Sequence, residues 1–428
     1  MRLKALVLAV MLAIGPVLLA PPAWAQQPTL PLAAPETQGF SKERLGRIAD
    51  VMKGEIEKGT IPGAITLIAR GGKIVHYETH GFLDAAKSRP MRKEAIFRIA
   101  SMTKPIVSAA AMMMVEQGRF KLNDPVGQYL PELKDMKVET KKADGAVEDM
   151  AIARAITVQD LLRHTAGFTY SFGGQRSERI KNLYLEADIE TQKSDITSDE
   201  MIKRLAGISL VFQPATSFEY SVSIDVLGIL MERVSGKPLD RLLDEMIFRP
   251  LKMKDTAFYV PPEKASRLAD ALDSDPNKAW IWKWIRVTDN GAGKRYFNAG
   301  GGLVSTTEDY WRFSQMIVNG GELDGVRLLS KKTVEFMLSD HLVGMGGSAA
   351  GTTGPGYTFG LGFGVRKDDG FGWVPGSKGD AMWAGICGTS FTIDPREKLV
   401  GVFMAQGPTT RIHTRMLFKN LLYGAVVR

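Results

Sequence analysis

The sequence predicts an α+β molecule, an α/β layer carrying a mainly helical insert. Two observations lead there. Strand-like apolar runs gather in the first and last thirds of the chain, and the stretch between them reads as helices and loops. No internal repeat or low-complexity tract interrupts this order.

Gln26 to Gly39 is proline-rich and reads as an extended lead-in. Ser41 to Gly59 has Leu45, Ile48, Met52 and Ile56 at helical spacing with charges opposite, which predicts an amphipathic helix. Ala64–Arg70 and Lys73–Thr79 flank Gly71-Gly72, a two-residue hairpin signal. A third strand-like run, Ala95–Ala100, leads into Ser101-Met102-Thr103-Lys104. From Pro105 to Val115 almost every residue is apolar, as in a helix buried on all sides, and Gly118 is its stop. Pro105 has no N–H to bond the Ser101 carbonyl, which sets the helix start at Ser101.

In the middle, Lys141–Ala153 is polar and reads as a surface loop, and Thr157–Arg163 as a short helix. Ser223–Val234 is a helix stopped by Ser235-Gly236, and Pro238–Met246 is a helix opened by its proline. Trp280, Trp282 and Trp284 alternate as on one face of a strand, a core pattern before it is a pocket wall. Ser305-Thr306-Thr307-Glu308 is a capping box for a helix over Thr306–Val318. Tyr357–Val365, Thr389–Asp394 and Lys398–Gln406 read as strands, and Thr414–Val427 as a closing amphipathic helix.

Composition bounds the function. The 428 residues are 44% hydrophobic and 24% charged, ordinary for a globular chain with a large core. Met1 to Ala25 reads as a secretory signal: Arg2 and Lys4, an apolar run from Ala5 to Ala20, then Ala23-Trp24-Ala25 as an A-x-A cleavage site. Gly15 and Pro16 interrupt a run already short for a spanning helix, so a periplasmic or secreted protein with no membrane span is expected after cleavage. Without Arg2 and Lys4 the chain has 53 basic against 47 acidic residues, spread evenly, which argues against a nucleic-acid partner. The single cysteine, Cys387, excludes an intrachain disulfide and reads as a small buried hydrophobe. There is no G-x-S-x-G, H-E-x-x-H, paired C-x-x-C or P-loop, and five scattered histidines (76, 80, 164, 341 and 413) suggest no metal site. Asp273, Asp275 and Asn277 begin like a calcium loop, but Lys278 stands for the turn glycine and Trp284 for the closing glutamate.

Ser101 and Lys104 fall three residues apart on a first helical turn, where side chains share a face and unbonded N–H groups gather. A hydroxyl beside an amine at such a terminus is one way to activate a serine without histidine. Alone, Ser-x-x-Lys is equally what a helix cap followed by a surface lysine would give. Tyr220 alone would be a half-buried core tyrosine, and Trp383 a packed aromatic.

Their order changes the reading. Ser101-Met102-Thr103-Lys104, Tyr220-Ser221-Val222 and Trp383-Ala384-Gly385 together resemble the three-motif set of serine β-lactamase-like hydrolases, most closely the family VIII carboxylesterases related to class C β-lactamases. Leu161 to Gly167, Pro250 to Met253, Gly300 to Thr306 and Phe391 to Pro395 support the match, which runs from about Pro35 to the C-terminus. The resemblance implies a β-lactamase/D,D-peptidase-like fold. An antiparallel sheet flanked by helices would be made from about 26–100 and 290–428, with the helical insert at about 101–289 and the site at their junction. It implies Ser101 as the acylated nucleophile, Lys104 and Tyr220 as its proton-handling partners, and the backbone N–H groups of Ser101 and Ile386 as the oxyanion hole. A free lysine is neutral only about once in a few thousand at pH 7, so either partner can accept the serine proton only if its pKa falls, the amine by burial or the phenol beside an ammonium. The two titrate as a pair, and which is the base stays open. No metal or organic cofactor is implied.

Two departures bear on substrate. β-Lactamases of this group carry Tyr-x-Asn and Lys-Thr-Gly, where this chain has Val222 and Trp383 beside Gly385. Valine offers no side-chain hydrogen bond and indole no charge. Losing a hydrogen bond to a charged group costs about 1.5–3 kcal/mol, so anionic lactams should bind poorly. Neutral small-molecule esters need neither group, which predicts a short-chain serine carboxylesterase. The alternatives are a β-lactamase, D,D-peptidase or other amide hydrolase, and a non-catalytic binding protein on the same fold. Oligomeric state is open.

Overall fold

The computed structural model describes residues 30–172, 177–190, 196–287 and 296–428; the leader at 1–25 lies outside them. Helix α1 (Lys42–Glu57) is capped by Ser41, whose Oγ accepts from the Arg44 amide at 3.3 Å, and it buries Leu45, Ile48, Met52 and Ile56 as their spacing requires. Strands β1 (Gly63–Arg70) and β2 (Lys73–Gly81) turn at Gly71 and Gly72, with φ of +58° and +77°. A two-residue turn with both φ positive matches the twist of its strands, and only glycine takes it without strain.

The third predicted strand shrinks to β3 (Phe97–Arg98), which pairs outside the main sheet. A 3₁₀ turn over Ala100–Met102 then feeds α2 (Thr103–Glu116), buried from Thr103 to Met114. Most of the stretch 141–153, expected to be a loop, belongs to a hairpin of β4 (Lys137–Lys141) and β5 (Val147–Ala151). Glu139 and Asp149 face each other across it, a like-charge pair that Arg179 neutralises at 2.8 and 2.7 Å. No alternation in the local sequence announces that arrangement.

Helices α3 (Val158–Leu162), α4 (Glu178–Glu186), α5 (Ser198–Ala206), α6 (Ser223–Ser235) and α7 (Leu239–Leu243) follow. Gly236, at φ +69°, ends α6 as predicted. The tryptophan run is a helix, α8 (Lys278–Trp284), and not a strand. Trp280 and Trp284, four apart, pack on Phe172 at 5.5 and 4.7 Å, while Trp282 turns away to lie 4.6 Å from the Arg98 guanidinium. A strand would have put all three rings on one side.

β6 (Val304–Ser305) partners β3 and precedes α9 (Thr307–Val318). The cap of α9 is Thr306, which accepts from the Asp309 amide at 3.2 Å, one residue later than the predicted capping box. After β7 (Glu322–Leu323), β8 (Val326–Arg327), α10 (Lys331–Met337) and α11 (Ala350–Thr353), the predicted strand 357–365 splits. It becomes β9 (Tyr357–Phe359) and β10 (Gly364–Arg366), a hairpin around Gly362 at φ +86°. β11 (Ala381–Ala384), which carries the third motif, was not anticipated. β12 (Ser390–Asp394), β13 (Leu399–Ala405) and α12 (Arg411–Gly424) close the chain.

The main sheet has seven antiparallel strands in the order β2-β1-β13-β12-β11-β10-β9, so the two ends of the chain interleave in one sheet. One face is closed by α1 and α12 over a core that includes Ile48, Met52, Ile68, Phe403, Phe418 and Leu422. Helix α9 packs against β13, β1 and β12. No helix among the described residues is long and apolar enough to cross a membrane.

Candidate active site

The sequence motifs converge where the start of α2, the residues before α6 and strand β11 meet. Ser101 sits in the 3₁₀ turn before α2, and the residue ahead of it, Ala100, is held at φ +46°. A non-glycine residue in that region is strained and persists only where its surroundings impose it. Here the clamp is close packing on β11. A Cβ on Gly385 would lie 2.4 Å from the Ile99 carbonyl oxygen, so no larger residue lets the two segments approach. The Tyr310 hydroxyl, donating to the Met102 carbonyl at 2.9 Å, fixes the turn from the other side.

Lys104 is fully buried. Its Nζ donates to the Gly300 carbonyl at 2.6 Å and reaches the Ser101 Oγ at 3.5 Å, a long contact. The same Nζ lies 4.6 Å from the centre of the Tyr220 ring and 5.4 Å from that of Tyr170. The Trp383 indole N–H donates to the Tyr220 hydroxyl at 3.4 Å, with ring centres 5.2 Å apart. Ser101, Lys104, Tyr220 and Trp383 therefore form one contiguous group. Val222 is buried at the cap of α6. The Ile386 amide, in the turn after β11, donates to no backbone carbonyl among the described residues.

Sequence reading passed over a second layer. Asp225, on the first turn of α6, is only 2% exposed and accepts from the Gly300 amide and the Tyr296 hydroxyl, both at 3.0 Å. It grips the glycine whose carbonyl holds Lys104. Burial pushes the Asp225 carboxyl above the usual range, and the nearby Lys104 charge pulls it back down. A Cβ on Gly300 would lie 2.3 Å from Asp225 Oδ2, so residue 300 must be glycine for this contact. The available signal was a carboxylate inside the apolar run Ile224–Met231.

His164 is the other addition. It is buried with φ +57°, and its ring centre stands 4.8 Å from that of Tyr220. Nδ1 accepts from the Ser221 amide at 3.3 Å, which leaves the ring proton on Nε2. Burial, and then Lys104, hold this imidazole well below the usual pKa, so it is neutral. The Tyr170 hydroxyl, with no hydrogen-bond partner among the described residues, and Phe172 extend the aromatic wall from Tyr220 to Trp280 and Trp284. The tryptophans thus reach the site's aromatic wall through a helix face. Cys387 is buried, its thiol pushed up to about 12 by burial, which makes it inert at neutral pH.

This arrangement can move a proton between a serine hydroxyl, an amine and a phenol beside a free backbone N–H. Residues 48–423 match the Beta-lactamase family model. The chain is 34% identical over 358 residues to Protein Rv1367c of Mycobacterium tuberculosis (strain ATCC 25618 / H37Rv), covering 82% of this chain and 87% of the relative. It is 29% identical over 364 residues to Esterase EstB of Burkholderia gladioli, covering 81% and 86%. Among solved structures, EstCE1, a hydrolase with promiscuous acyltransferase activity, superposes with a TM-score of 0.74 at 26% identity, over 89% of this chain and 99% of that one. The chain belongs to the Beta-lactamase family, as a hydrolase of the β-lactamase fold.

Proposed function

We propose that the protein is a serine carboxylesterase acting on short-chain neutral esters through an acyl-enzyme on Ser101. The observation that carries this reading is the meeting of the Ser101 hydroxyl and Lys104 Nζ at 3.5 Å beside Tyr220, whose hydroxyl is met by a neutral indole. Ser101 Oγ attacks the ester carbonyl while its proton passes to the Lys104/Tyr220 pair. The tetrahedral oxyanion takes the N–H groups of Ser101 and Ile386, each of which is worth on the order of a hundredfold to a thousandfold in rate. Collapse expels the alcohol, which receives the proton from the same pair. Water then attacks the acyl-enzyme along the reverse path and releases the acid. The esterase name of EstB supports the substrate class, and the hydrolase and acyltransferase activity of EstCE1 fits an acyl-enzyme.

Trp383 and the aromatic wall favour an apolar acyl or alcohol part. With no ammonium at 383 and no amide at 222, anionic lactams lack their two polar anchors. Hydrolysis of p-nitrophenyl butyrate compared with nitrocefin tests the choice: esterase activity dominates, and efficient turnover of nitrocefin alone overturns it. A fluorophosphonate probe labels the wild type and leaves Ser101→Ala unlabelled; equal labelling of both removes Ser101 from its role and favours a non-catalytic binding protein. The leader at 1–25 makes the periplasm or the medium the place of action. Recovery of the protein there at full-length mass contradicts cleavage.

A further inference from the structure

The edge of the main sheet away from the third motif holds a second cluster of chemically capable side chains. Successive residues of a strand point to opposite faces, so His76, Glu78 and His80 share one face of β2, the terminal strand of the sheet. Thr66, on β1, lies directly opposite Glu78 in the register. The Nε2 atoms of His76 and His80 both reach its hydroxyl, at 2.7 and 2.9 Å. A hydroxyl has one proton to give and two lone pairs, so at most one ring accepts from it and at least one donates Nε2–H to the same oxygen. His76 Nδ1 lies 3.7 Å from Glu78 Oε1, and one ligand atom from each of the three residues falls within 4.8 Å of the others.

We infer that His76, Glu78 and His80 form a binding site for a borderline divalent cation of the zinc type. The donor set decides the class. Two imidazoles and one carboxylate suit zinc, cobalt, nickel or copper, whereas magnesium and calcium prefer oxygen throughout. Ligation needs neutral imidazole. Both rings are buried, which disfavours the charged imidazolium. Glu78 is about half exposed and supplies a negative charge and a way in from solvent. Tetrahedral zinc with ligands about 2.0–2.1 Å away needs donors roughly 3.4 Å apart, so rotamer shifts of about 1 Å close the cluster. Three protein ligands leave a fourth position for water. The competing arrangement is a metal-free hydrogen-bonded clasp between β1 and β2, and only a metal titration separates the two.

The test uses the untagged full chain, stripped with chelator and titrated with Co²⁺ and with Zn²⁺. Affinity is read by competition with a chromogenic chelator, and coordination from the visible d–d bands of Co²⁺. One equivalent is expected to bind, with bands typical of four or five nitrogen and oxygen donors. Glu78→Gln, at an exposed position that folding tolerates, and His80→Gln each weaken binding more than about tenfold, since even outer-sphere partners of a metal are worth that much. Ser101→Ala binds as tightly as the wild type, so the result is independent of whether the hydrolase reading holds. Absence of saturable binding overturns the site. So does equal affinity in the wild type and Glu78→Gln, which would place the ion elsewhere.

Discussion

Two lysines are buried among the described residues, and their surroundings differ in kind. Lys419, on α12, donates to the Tyr357 hydroxyl at 2.6 Å and to both Asp380 oxygens at 3.2 Å; Asp380 also receives Arg366 Nε at 2.8 Å. The ammonium is committed to a carboxylate inside a closed network. Lys104 touches a backbone carbonyl and a serine hydroxyl, with the Asp225 carboxylate acting one step away through Gly300. The first arrangement ties α12 to the sheet. The second leaves one side of the amine facing the Ser101 hydroxyl, the proposed nucleophile. A buried cation is structural or chemical according to what is left unpaired around it, and burial alone does not say which.

The largest expected effect separates the two directly. Lys104→Ala lowers ester turnover by at least about a thousandfold, as removal of a member of a concerted proton-transfer group does, and Tyr220→Phe loses most of it. Lys419→Met keeps most turnover and loses about 3 kcal/mol in denaturant unfolding, the low end for a broken buried pair because Arg366 still faces Asp380. Near-normal turnover in Lys104→Ala would collapse the contrast.

The carboxylates sharpen it. Asp380→Asn leaves two cations facing an amide and destabilises the fold. Asp225→Asn keeps the acceptor for Gly300 and Tyr296 but removes a carboxyl whose pKa is raised in the fold. A raised pKa contributes stability below the unfolded value, near 3.8, that is lost as pH rises through the folded value. The variant should therefore melt no lower at pH 7 while its kcat falls about tenfold or more. A lower melting temperature together with unchanged kcat would make Asp225 purely structural.

A third buried set responds to acid. His76 and His80 are pushed down to about 4 from 6.5, so their contribution is complete above pH 6.5 and is lost as pH falls toward 4. Melting in the presence of chelator should show a loss of up to about 3 kcal/mol per ring across that window, flattened in His76→Gln. An unchanged slope would put the acid sensitivity elsewhere. The smallest effect concerns substrate. Trp383→Lys should improve binding of an anionic lactam by no more than about 1.5–3 kcal/mol, read as nitrocefin KM, with Val222 still lacking the amide.

Local chemistry made much of this molecule legible in advance. Ser41 before α1, Gly71-Gly72 in the hairpin, Pro105 near the start of α2 and Gly236 after α6 each act through their own φ, missing N–H or capping oxygen, within a few residues. The order of Ser101-x-x-Lys104, Tyr220 and Trp383 gave the family for the same reason: side-chain chemistry survives as letters. Failures came where distant segments arbitrate. The tryptophan run took a helix because Phe172 receives Trp280 and Trp284 four apart, and β4 and β5 paired with Arg179 as the third party.

Residue identity and spacing therefore determined which groups are available, where some helices end, and which family the chain joins. Tertiary structure alone decided that Asp225 would hold Gly300 against Lys104, and that two histidines four apart would meet at one threonine hydroxyl. The reason is physical: hydrogen bonds and ion pairs act over about 3 Å, and the register of β1 on β2 or the docking of α6 on α2 sets such distances through contacts that no single segment contains.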